Sequence, residues 1–526
     1  MPDPAEPARA RVTVVMTVRE RHRLTVRSIE SVLANTSIPI RFIFSHGVLP
    51  EWLDRDIEAL TSAGKIERRA FPDVHWPNQL RAAVVDEIDT EFVAFIDNDI
   101  LASPGWIERQ LACADETGAG VVGPIYLWGD GESAPKVHMA GGTLRVTQLE
   151  EGKVMEELHH HQDADPGAVR EALTRAPCDF VEYHCLLMRS EIAKAPGVID
   201  PEVVAAHEHI DASLGAKKLG RATWLEPTSD VTYLAYAPQV LEDLALMRHR
   251  WDSPAVERSI EAFCRKWGVL SDDRSFGGVR GYIHDMRWRH DPLSQHATAT
   301  DLGEVMTREH LCQTPSALLD LASDRKHAVE DIALLARSCH LAAQMADGGY
   351  RPCGRPFVSH LLGTAAVLLR YNFRLATVCE GLLHAALTHR RAPLAAVLEA
   401  LKRLNPLVEA RVREYSQRAA ARPPVSQEVG TLSPRQAEIA AIEAANEIDM
   451  RLSGEYDHSG RAPEIDAAEA DRLARVLEMV GVPGMARTLR ESVVRASTVP
   501  AALVTGIPVS YRFAPDGKLV AMATPR

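Results

Sequence analysis

The fold of the first half of the chain is predicted by one stretch, Glu91-Phe92-Val93-Ala94-Phe95-Ile96-Asp97-Asn98-Asp99-Ile100. Its apolar part is typical of a buried strand, and two aspartates one residue apart follow directly. Because alternate side chains of a strand point to the same face, Asp97 and Asp99 can share one ion. Carboxylates at a strand end suit Mg²⁺ or Mn²⁺ carrying a nucleotide diphosphate. The alternative is a solvated turn, since Asp-Asn-Asp is also good turn sequence.

Further strands and helices are predicted around this stretch. Residues 11–18 and 40–44 are apolar runs typical of buried strands, and a helical pattern covers 24–34 between them. A second helix, 77–85, leads directly into the aspartate strand. This order is the beginning of a parallel α/β sheet, whose ligands bind outside the carboxyl ends of the strands. The polar residues predicted at that edge are Thr17, Arg19, His46, Asp97 and Asp99.

In these motifs the chain resembles family 2 glycosyltransferases of the GT-A fold. The matching segments, in chain order, are Thr17 to Arg21, Ser28 to Thr36, Asn78 with Arg81, Phe95 to Asp99, Pro104-Gly105-Trp106, Gly120 to Pro124, His138 to Gly142, and Glu208-His209-Ile210-Asp211. The resemblance covers residues 1–290 and implies a Rossmann-like, nucleotide-sugar-binding α/β domain. The donor-binding residues that we expect are Thr17, Arg19, Glu20, His46, Asn78, Arg81 and Asp97.

The resemblance implies inverting transfer of a sugar from a nucleotide-diphosphate-sugar donor. The acceptor stays open between a glycan, a lipid-linked glycan, a protein and a small molecule. Asp99, with Asp97, is expected to hold Mn²⁺ or Mg²⁺ at the diphosphate, where charge develops on the leaving group. A general base is expected in Glu208-His209-Ile210-Asp211. Because His209 stands where the family has an aspartate, Glu208, His209 and Asp211 are all candidates for it.

Two other departures from the family pattern affect the site. Phe44 to Val48 replaces the aspartate-rich turn that reads the nucleotide base, so the base stays open. The family's later metal-binding histidine is also missing, and its role falls to Asp230, Tyr233 or His138. The alternative for His138 is a histidine bonded to backbone. We interpret His184 as structural and the run His159-His160-His161 as an exposed loop.

Composition favours an intracellular, soluble enzyme. A chain of 526 residues, 46% of them hydrophobic, predicts two or more domains. No stretch approaches the roughly 18 to 20 apolar residues of a membrane span. Residues 1–10 lack the apolar core of a secretory signal, so we expect a cytoplasmic protein. The net charge of −13 argues against nucleic acid as a partner.

The second half of the chain is predicted to be all-α. Residues 291–325 change in composition and are interpreted as a linker, and 326–526 as a helical accessory domain that could mediate homo-oligomerisation. Helical spacing of apolar residues predicts helices at 328–345, 356–370, 375–388, 394–415, 434–452 and 467–480. A strand pattern returns only at 501–513.

One motif of this domain resembles the HD superfamily, as found in alarmone hydrolases. Its residues are Arg351, Gly354, Phe357 and His360, followed by His384. That family holds its metal with a histidine, a His-Asp pair and a distant aspartate, but here the pair is His384-Ala385. Glu447 or Asp449 could supply the distant carboxylate.

An incomplete ligand set loses metal affinity and geometry. The resemblance therefore implies a degenerate HD-like domain that binds, scaffolds or dimerises. A two-histidine site at His360 and His384 is the alternative. For the whole chain, the alternative to a transferase is a non-catalytic nucleotide-binding or regulatory protein, in which both domains are degenerate.

Overall fold

The computed structural model describes residues 9–74, 76–237, 239–290, 305–389, 392–421, 428–459, 462–496, 509–513 and 519–523. The chain divides into two compact units, Met1–Arg289 and His290–Arg526. The first is a mixed α/β unit and the second is largely helical, which confirms the fold class at this level. Of the predicted linker, 291–304 lies outside the described residues, and 315–324 is a helix rather than irregular chain.

The strands of the first unit, in chain order, are β1 Val12–Thr17, β2 Ile40–His46, β3 Glu67–Ala70, β4 Phe92–Asp97, β5 Ile100–Ala102, β6 Val121–Trp128, β7 Lys136–Met139, β8 Gly142–Gln148, β9 Lys153–His159, β10 Ala176–Cys178, β11 Cys185–Arg189 and β12 Thr223–Tyr233. Its helices are α1 Thr25–Ala34, α2 Glu51–Ser62, α3 Pro77–Val84, α4 Trp106–Thr117, α5 Pro166–Ala172, α6 Ser190–Ala193, α7 Glu208–Lys218, α8 Leu244–Arg250, α9 Ser253–Trp267 and α10 Asp273–His290. Several helices begin with proline in the first turn, where its missing N–H costs nothing.

The main sheet has the strand order β10-β12-β6-β11-β4-β1-β2-β3. Strand β1 lies in its interior and pairs in parallel with β2 on one side and with β4 on the other. Every residue of β1 and β4 is buried, as expected for a strand covered on both faces. The parallel order that the sequence predicts for these strands is therefore present.

The pairing of β4 brings polar residues to one edge of the sheet. The register aligns Thr17 with Asp97, so both lie at the carboxyl ends of their strands. On its other side β4 pairs with β11, which runs antiparallel and aligns Cys185 with Ile96. The residue before Cys185 is His184, and this reversal places it beside Asp97.

Strands β8 and β9 form a separate antiparallel hairpin, which the sequence analysis did not predict. Its register pairs Gly142 with His159. A side chain at Gly142 would begin 2.2 Å from the ring of Phe180, so only glycine allows this approach. The hairpin thereby brings His159 to the main sheet, whereas the sequence analysis placed it in an exposed loop.

The helices of the second unit are α11 Pro315–Asp324, α12 Val329–Ala346, α13 Phe357–Arg370, α14 Leu375–Leu382, α15 Leu394–Leu404, α16 Pro406–Ala421, α17 Pro434–Leu452, α18 Glu455–Ser459, α19 Ala467–Met479 and α20 Pro483–Ala496. An antiparallel hairpin follows, with β13 Val509–Phe513 and β14 Leu519–Ala523. None of the helices in the described part of the chain has both the length and the apolar character that crossing a membrane requires.

The predicted helix 394–415 is wrong as a single element. It is interrupted at Asn405, which is extended, because Pro406 disfavours the helical conformation of the residue before it. The predicted helix 375–388 ends at Leu382 and continues as turns. Helix α17 begins and ends where predicted, and Ser433 and Gln436 form a capping box at its start.

Candidate active site at the carboxyl ends of the strands

Asp97, at the carboxyl end of β4, is held by two arginines and contacts a histidine. Its Oδ1 accepts a hydrogen bond from Arg81 Nη2 at 2.7 Å, and its Oδ2 accepts one from Arg19 Nη1 at 3.1 Å. His184 Nδ1 also lies 3.1 Å from Oδ2. Burial alone would raise the pKa of Asp97, but Arg19, His184 and Arg81 lower it to about 2. Asp97 is therefore ionised and held in a fixed orientation.

Asp99 has the opposite environment. It is fully buried, and neither carboxylate oxygen has a hydrogen-bond partner among the described residues. The nearest cation is Arg21, whose Nη1 lies 3.9 Å from Oδ2. Burial, then the charges of Glu20 and Asp97, raise the pKa of Asp99 to about 7. A buried carboxylate without partners costs free energy unless something else satisfies it.

The chain after β1 supplies the charges that surround these aspartates. Arg19 and Arg21 flank Glu20, whose carboxylate lies 3.5 Å from each guanidinium. Tyr233, at the end of β12, donates a hydrogen bond to Glu20 Oε2 at 3.2 Å. Thr17 Oγ1 and Glu20 Oε1 are buried, and no hydrogen-bond partner for them lies within the described ranges. Oxygen atoms with no partner thus lie in this chain segment as well as in Asp99.

His184 is a site residue that the sequence analysis interpreted as structural. Asp97, Asp99 and His184 form one of two groups of three metal-ligand side chains found among the described residues, with ligand atoms within 4.8 Å of one another. Its ring stacks on Tyr233 at a centroid distance of 4.0 Å. No signal in the sequence shows that β11 pairs antiparallel with β4, so the position of His184 beside Asp97 could not be predicted.

The residues fit a hard divalent cation on the Asp99 side of this group. Asp99 offers two unpartnered oxygens, and Thr17 and Glu20 offer further buried oxygens. On the other side, Arg19 Nη1 lies 2.8 Å from His184 Nδ1 and 3.1 Å from Asp97 Oδ2, so it already contacts both side chains. An ion that used all three side chains would displace Arg19.

Two predicted donor-binding residues are held by the protein itself. His46 is buried at the end of β2, where its Nδ1 donates to the Gly47 carbonyl and its Nε2 accepts from Arg68. Asn78 donates to the carbonyls of Asp200 and Val203, at 2.8 and 2.9 Å. Their roles in donor binding stay predictions. The two hydrogen bonds of Asn78 bind the segment that precedes α7.

Glu208, His209 and Asp211 all lie in the first turn of α7, but their surroundings differ. Both oxygens of Asp211 are bound, at 2.7 Å by Lys266 Nζ and at 2.7 Å by Trp267 Nε1. His209 lies near two carboxylates and, although buried, has its pKa raised to about 9 by them. Glu208 Oε1 lies 3.9 Å from Arg250 Nη2. Of the two carboxylates, Asp211 is held by two hydrogen bonds, whereas Glu208 makes one longer ion pair.

His138, which the sequence analysis assigned to the aspartate-bound ion, belongs to the second group of metal-ligand side chains. This group combines it with His159 and Glu182. The rings of His138 and His184 lie 5.7 Å apart, so the two groups are neighbours. Burial lowers the pKa of His138 to about 3, so its imidazole is neutral.

In the second unit, an arginine side chain binds the carboxylate of the predicted HD-like site. His360 Nδ1 donates to Asp449 Oδ2 at 2.7 Å, so Asp449 is indeed the distant carboxylate that reaches His360. Arg355 binds both oxygens of the same carboxylate, at 2.7 and 3.0 Å. His384 donates through Nδ1 to the Gly381 carbonyl. No metal-ligand group was found here among the described residues.

His384 predicts a pH dependence of stability. Burial and neighbouring His360 lower its pKa from the ordinary 6.5 to about 3 in the folded protein. Below pH 6.5 the unfolded chain binds a proton at this histidine, whereas the folded protein does not. The free energy of unfolding therefore decreases as the pH is lowered. The loss reaches about 2 kcal/mol at pH 5. Denaturant unfolding gives the free energy of unfolding at pH 7 and at pH 5. In His384→Gln we expect the difference between these two values to be smaller by that amount.

The exposed His340 gives the matched control. His340→Gln should keep the acid sensitivity of the original chain. An equal loss of stability between pH 7 and pH 5 in both variants would contradict the assignment to His384.

Comparison with known proteins gives only distant similarity. No family model matches the chain, and no curated protein matches it. A crystal structure of GalNAc-T7 with UDP, GalNAc and Mn²⁺ matches at 13% identity and a TM-score of 0.34, covering 53% of this chain and 55% of that chain. This chain therefore spans about half of that protein's length.

Two crystal structures of residues 1–349 of TarS from S. aureus also match. The one in complex with UDP-GlcNAc has 11% identity and a TM-score of 0.30, covering 78% of this chain and 92% of that chain. The other has 13% identity and a TM-score of 0.30, covering 70% and 90%. Similarity this weak assigns neither a family nor a function, which have to be inferred from the residues of this chain.

Proposed function

We propose that the first unit is a metal-dependent glycosyltransferase that moves a sugar from a nucleotide-diphosphate-sugar donor, with inversion, to an acceptor. The observation that carries the proposal is Asp99, a buried carboxylate with two unpartnered oxygens at the carboxyl end of a sheet strand. Such a group is satisfied by a cation. The order of motifs that resembles family 2 glycosyltransferases supports the same function.

The charged residues around Asp99 suit a diphosphate. Mn²⁺ or Mg²⁺, held by Asp99 with Asp97, would offset the charge that develops on the leaving nucleoside diphosphate. Arg81 binds Asp97 through one nitrogen, and no described residue is a hydrogen-bond partner of its Nε or Nη1. Arg19 lies at the same carboxylate. Both guanidiniums are therefore placed to bind donor oxygens.

Glu208 is the best candidate for the general base. The environment of His209 keeps it protonated at neutral pH, so it has no free proton acceptor. Asp211 is already bound by Lys266 and Trp267 and serves to fix α7. In the reaction, the bond from the anomeric carbon to the diphosphate oxygen breaks as the acceptor attacks from the opposite face. The acceptor's proton passes to Glu208.

A donor screen tests this function. The purified chain is incubated with nucleotide-diphosphate sugars and Mn²⁺ or Mg²⁺, and release of the nucleoside diphosphate is followed. Slow hydrolysis of one donor, stimulated by an acceptor, is the expected result and identifies the sugar. Tight nucleotide binding without turnover, even with acceptors present, would favour the nucleotide-binding regulatory protein instead.

For the second unit we propose an HD-like domain that scaffolds or dimerises and does not hydrolyse phosphoesters. Arg355 neutralises Asp449 where the resemblance implies a metal ion. A guanidinium supplies charge but cannot hold or activate a water as a metal does. The proposal is tested by phosphohydrolase assays with divalent metals on the full chain, which should show no activity.

A further inference from the structure

The second group of metal-ligand side chains lies where three elements of the first unit meet. His138 belongs to β7, His159 is the last residue of β9, and Glu182 lies just before β11. One ligand atom of each lies within 4.8 Å of the others. His138 Nδ1 and His159 Nε2 are buried, and neither has a hydrogen-bond partner in the part of the chain that the structure describes. Two imidazoles with buried, unpartnered nitrogens thus converge with a carboxylate whose Oε1 lies 3.7 Å from both His159 and His209.

The distance between His159 and Glu182 is too long for a hydrogen bond and suits two ligands that share an ion. His159 Nε2 lies 3.7 Å from Glu182 Oε1. Donors that bind one tetrahedral zinc at about 2.0–2.1 Å lie about 3.4 Å apart. A small inward movement of these side chains would therefore complete the coordination.

The surroundings also resemble those of a metal site. Trp128 lies beside His138 with ring centroids 4.8 Å apart, and Phe180 lies beside His159 at 5.7 Å. Such apolar walls limit access of water and strengthen electrostatic binding. His209 Nε2 lies 3.7 Å from the same Glu182 oxygen and 3.6 Å from Glu157 Oε2, so this imidazole is a neighbour of the group and not one of its ligands.

We propose that His138, His159 and Glu182 form a second metal site, which binds a borderline transition ion of the zinc class and is separate from the Asp99 site. Imidazole nitrogens select such ions over Mg²⁺, which prefers oxygen. Three protein ligands leave a fourth position open for water or a substrate atom. The site does not depend on the proposed transferase activity, because binding of the ion needs only these three side chains.

Metal binding tests the site directly. The chain carrying Asp99→Asn, which disables the first candidate site, is stripped with a chelator and titrated with Co²⁺ and then Zn²⁺. We expect one equivalent of Co²⁺ with the visible absorption of a low-symmetry site, displaced by Zn²⁺. Adding His159→Gln should weaken binding by at least about 10-fold and abolish the absorption.

The neighbouring His161 provides the control, because it is exposed and lies outside the group. His161→Gln in the same background should bind Co²⁺ as the parent does. Equal affinity in the His159 and His161 variants, or no Co²⁺ absorption in the parent, would overturn the proposal. If His159→Gln fails to fold, X-ray absorption of the zinc-loaded parent decides, since a shell without imidazole also overturns it.

Discussion

Asp99→Asn is expected to lower sugar transfer by on the order of 10²- to 10³-fold, the range for loss of one charge-stabilising group at a reaction centre. The substitution keeps the size of the side chain and removes its negative charge. Asp99 is the carboxylate whose oxygens the protein leaves unpartnered, whereas Asp97 is bound by two arginines. Removing its charge should therefore remove the cation, and with it the stabilisation of the leaving diphosphate.

Mn²⁺ binding should change in parallel with activity. Titration followed by the electron paramagnetic resonance signal of free Mn²⁺, with nucleoside diphosphate present, should show a bound ion in the original chain and weak binding in Asp99→Asn. Asp86→Asn makes the same chemical change at an exposed position and should behave as the original chain. Full transfer activity in Asp99→Asn would show that this carboxylate does not serve the reaction.

Much of the first unit could be predicted from its sequence, because buried parallel strands are continuous apolar runs. Strands β1, β2 and β4 follow such runs, and α3 begins at its proline. The antiparallel hairpin of β8 and β9 was missed, since its strands are short of apolar residues and largely exposed. The break at Asn405 was also missed, although Pro406 is a visible signal for it.

The residues of the candidate site could be predicted only where their positions depend on the local chain. Residues at the end of a strand or shortly after it, such as Thr17 and Asp99, could be placed because local chain direction determines where they lie. His184 reaches Asp97 through the pairing of β11 with β4, two strands far apart in the chain, which no local pattern encodes. The ion-pair partners of the acidic residues could not be predicted either. Nothing in the sequence shows that Arg355 binds Asp449 or that Lys266 binds Asp211.

The helical unit contains a buried network of charges that the sequence analysis did not identify. Glu380 is fully buried in α14, where Arg411 lies 3.0 Å and Arg435 2.7 Å from its oxygens. Glu438 in α17 lies 2.9 Å from Arg411 and 3.2 Å from Arg435. The two glutamates thus share the same two arginines, and the network joins α14, α16 and α17. A buried network of this kind is stable only while every charge has its counter-charge.

Glu380→Ala should consequently have the largest effect on stability of any single change in the second unit that we consider. It leaves Arg411 and Arg435 with Glu438 as their shared buried carboxylate, and loss of one member of such a pair costs about 3–5 kcal/mol. Denaturant unfolding followed by circular dichroism measures the change. Glu399→Ala, which removes a glutamate from an exposed pair with Arg403, should alter stability by less than about 1 kcal/mol. Similar values for the two variants would mean that water or a rearranged side chain replaces Glu380, and that the network does not hold these helices together.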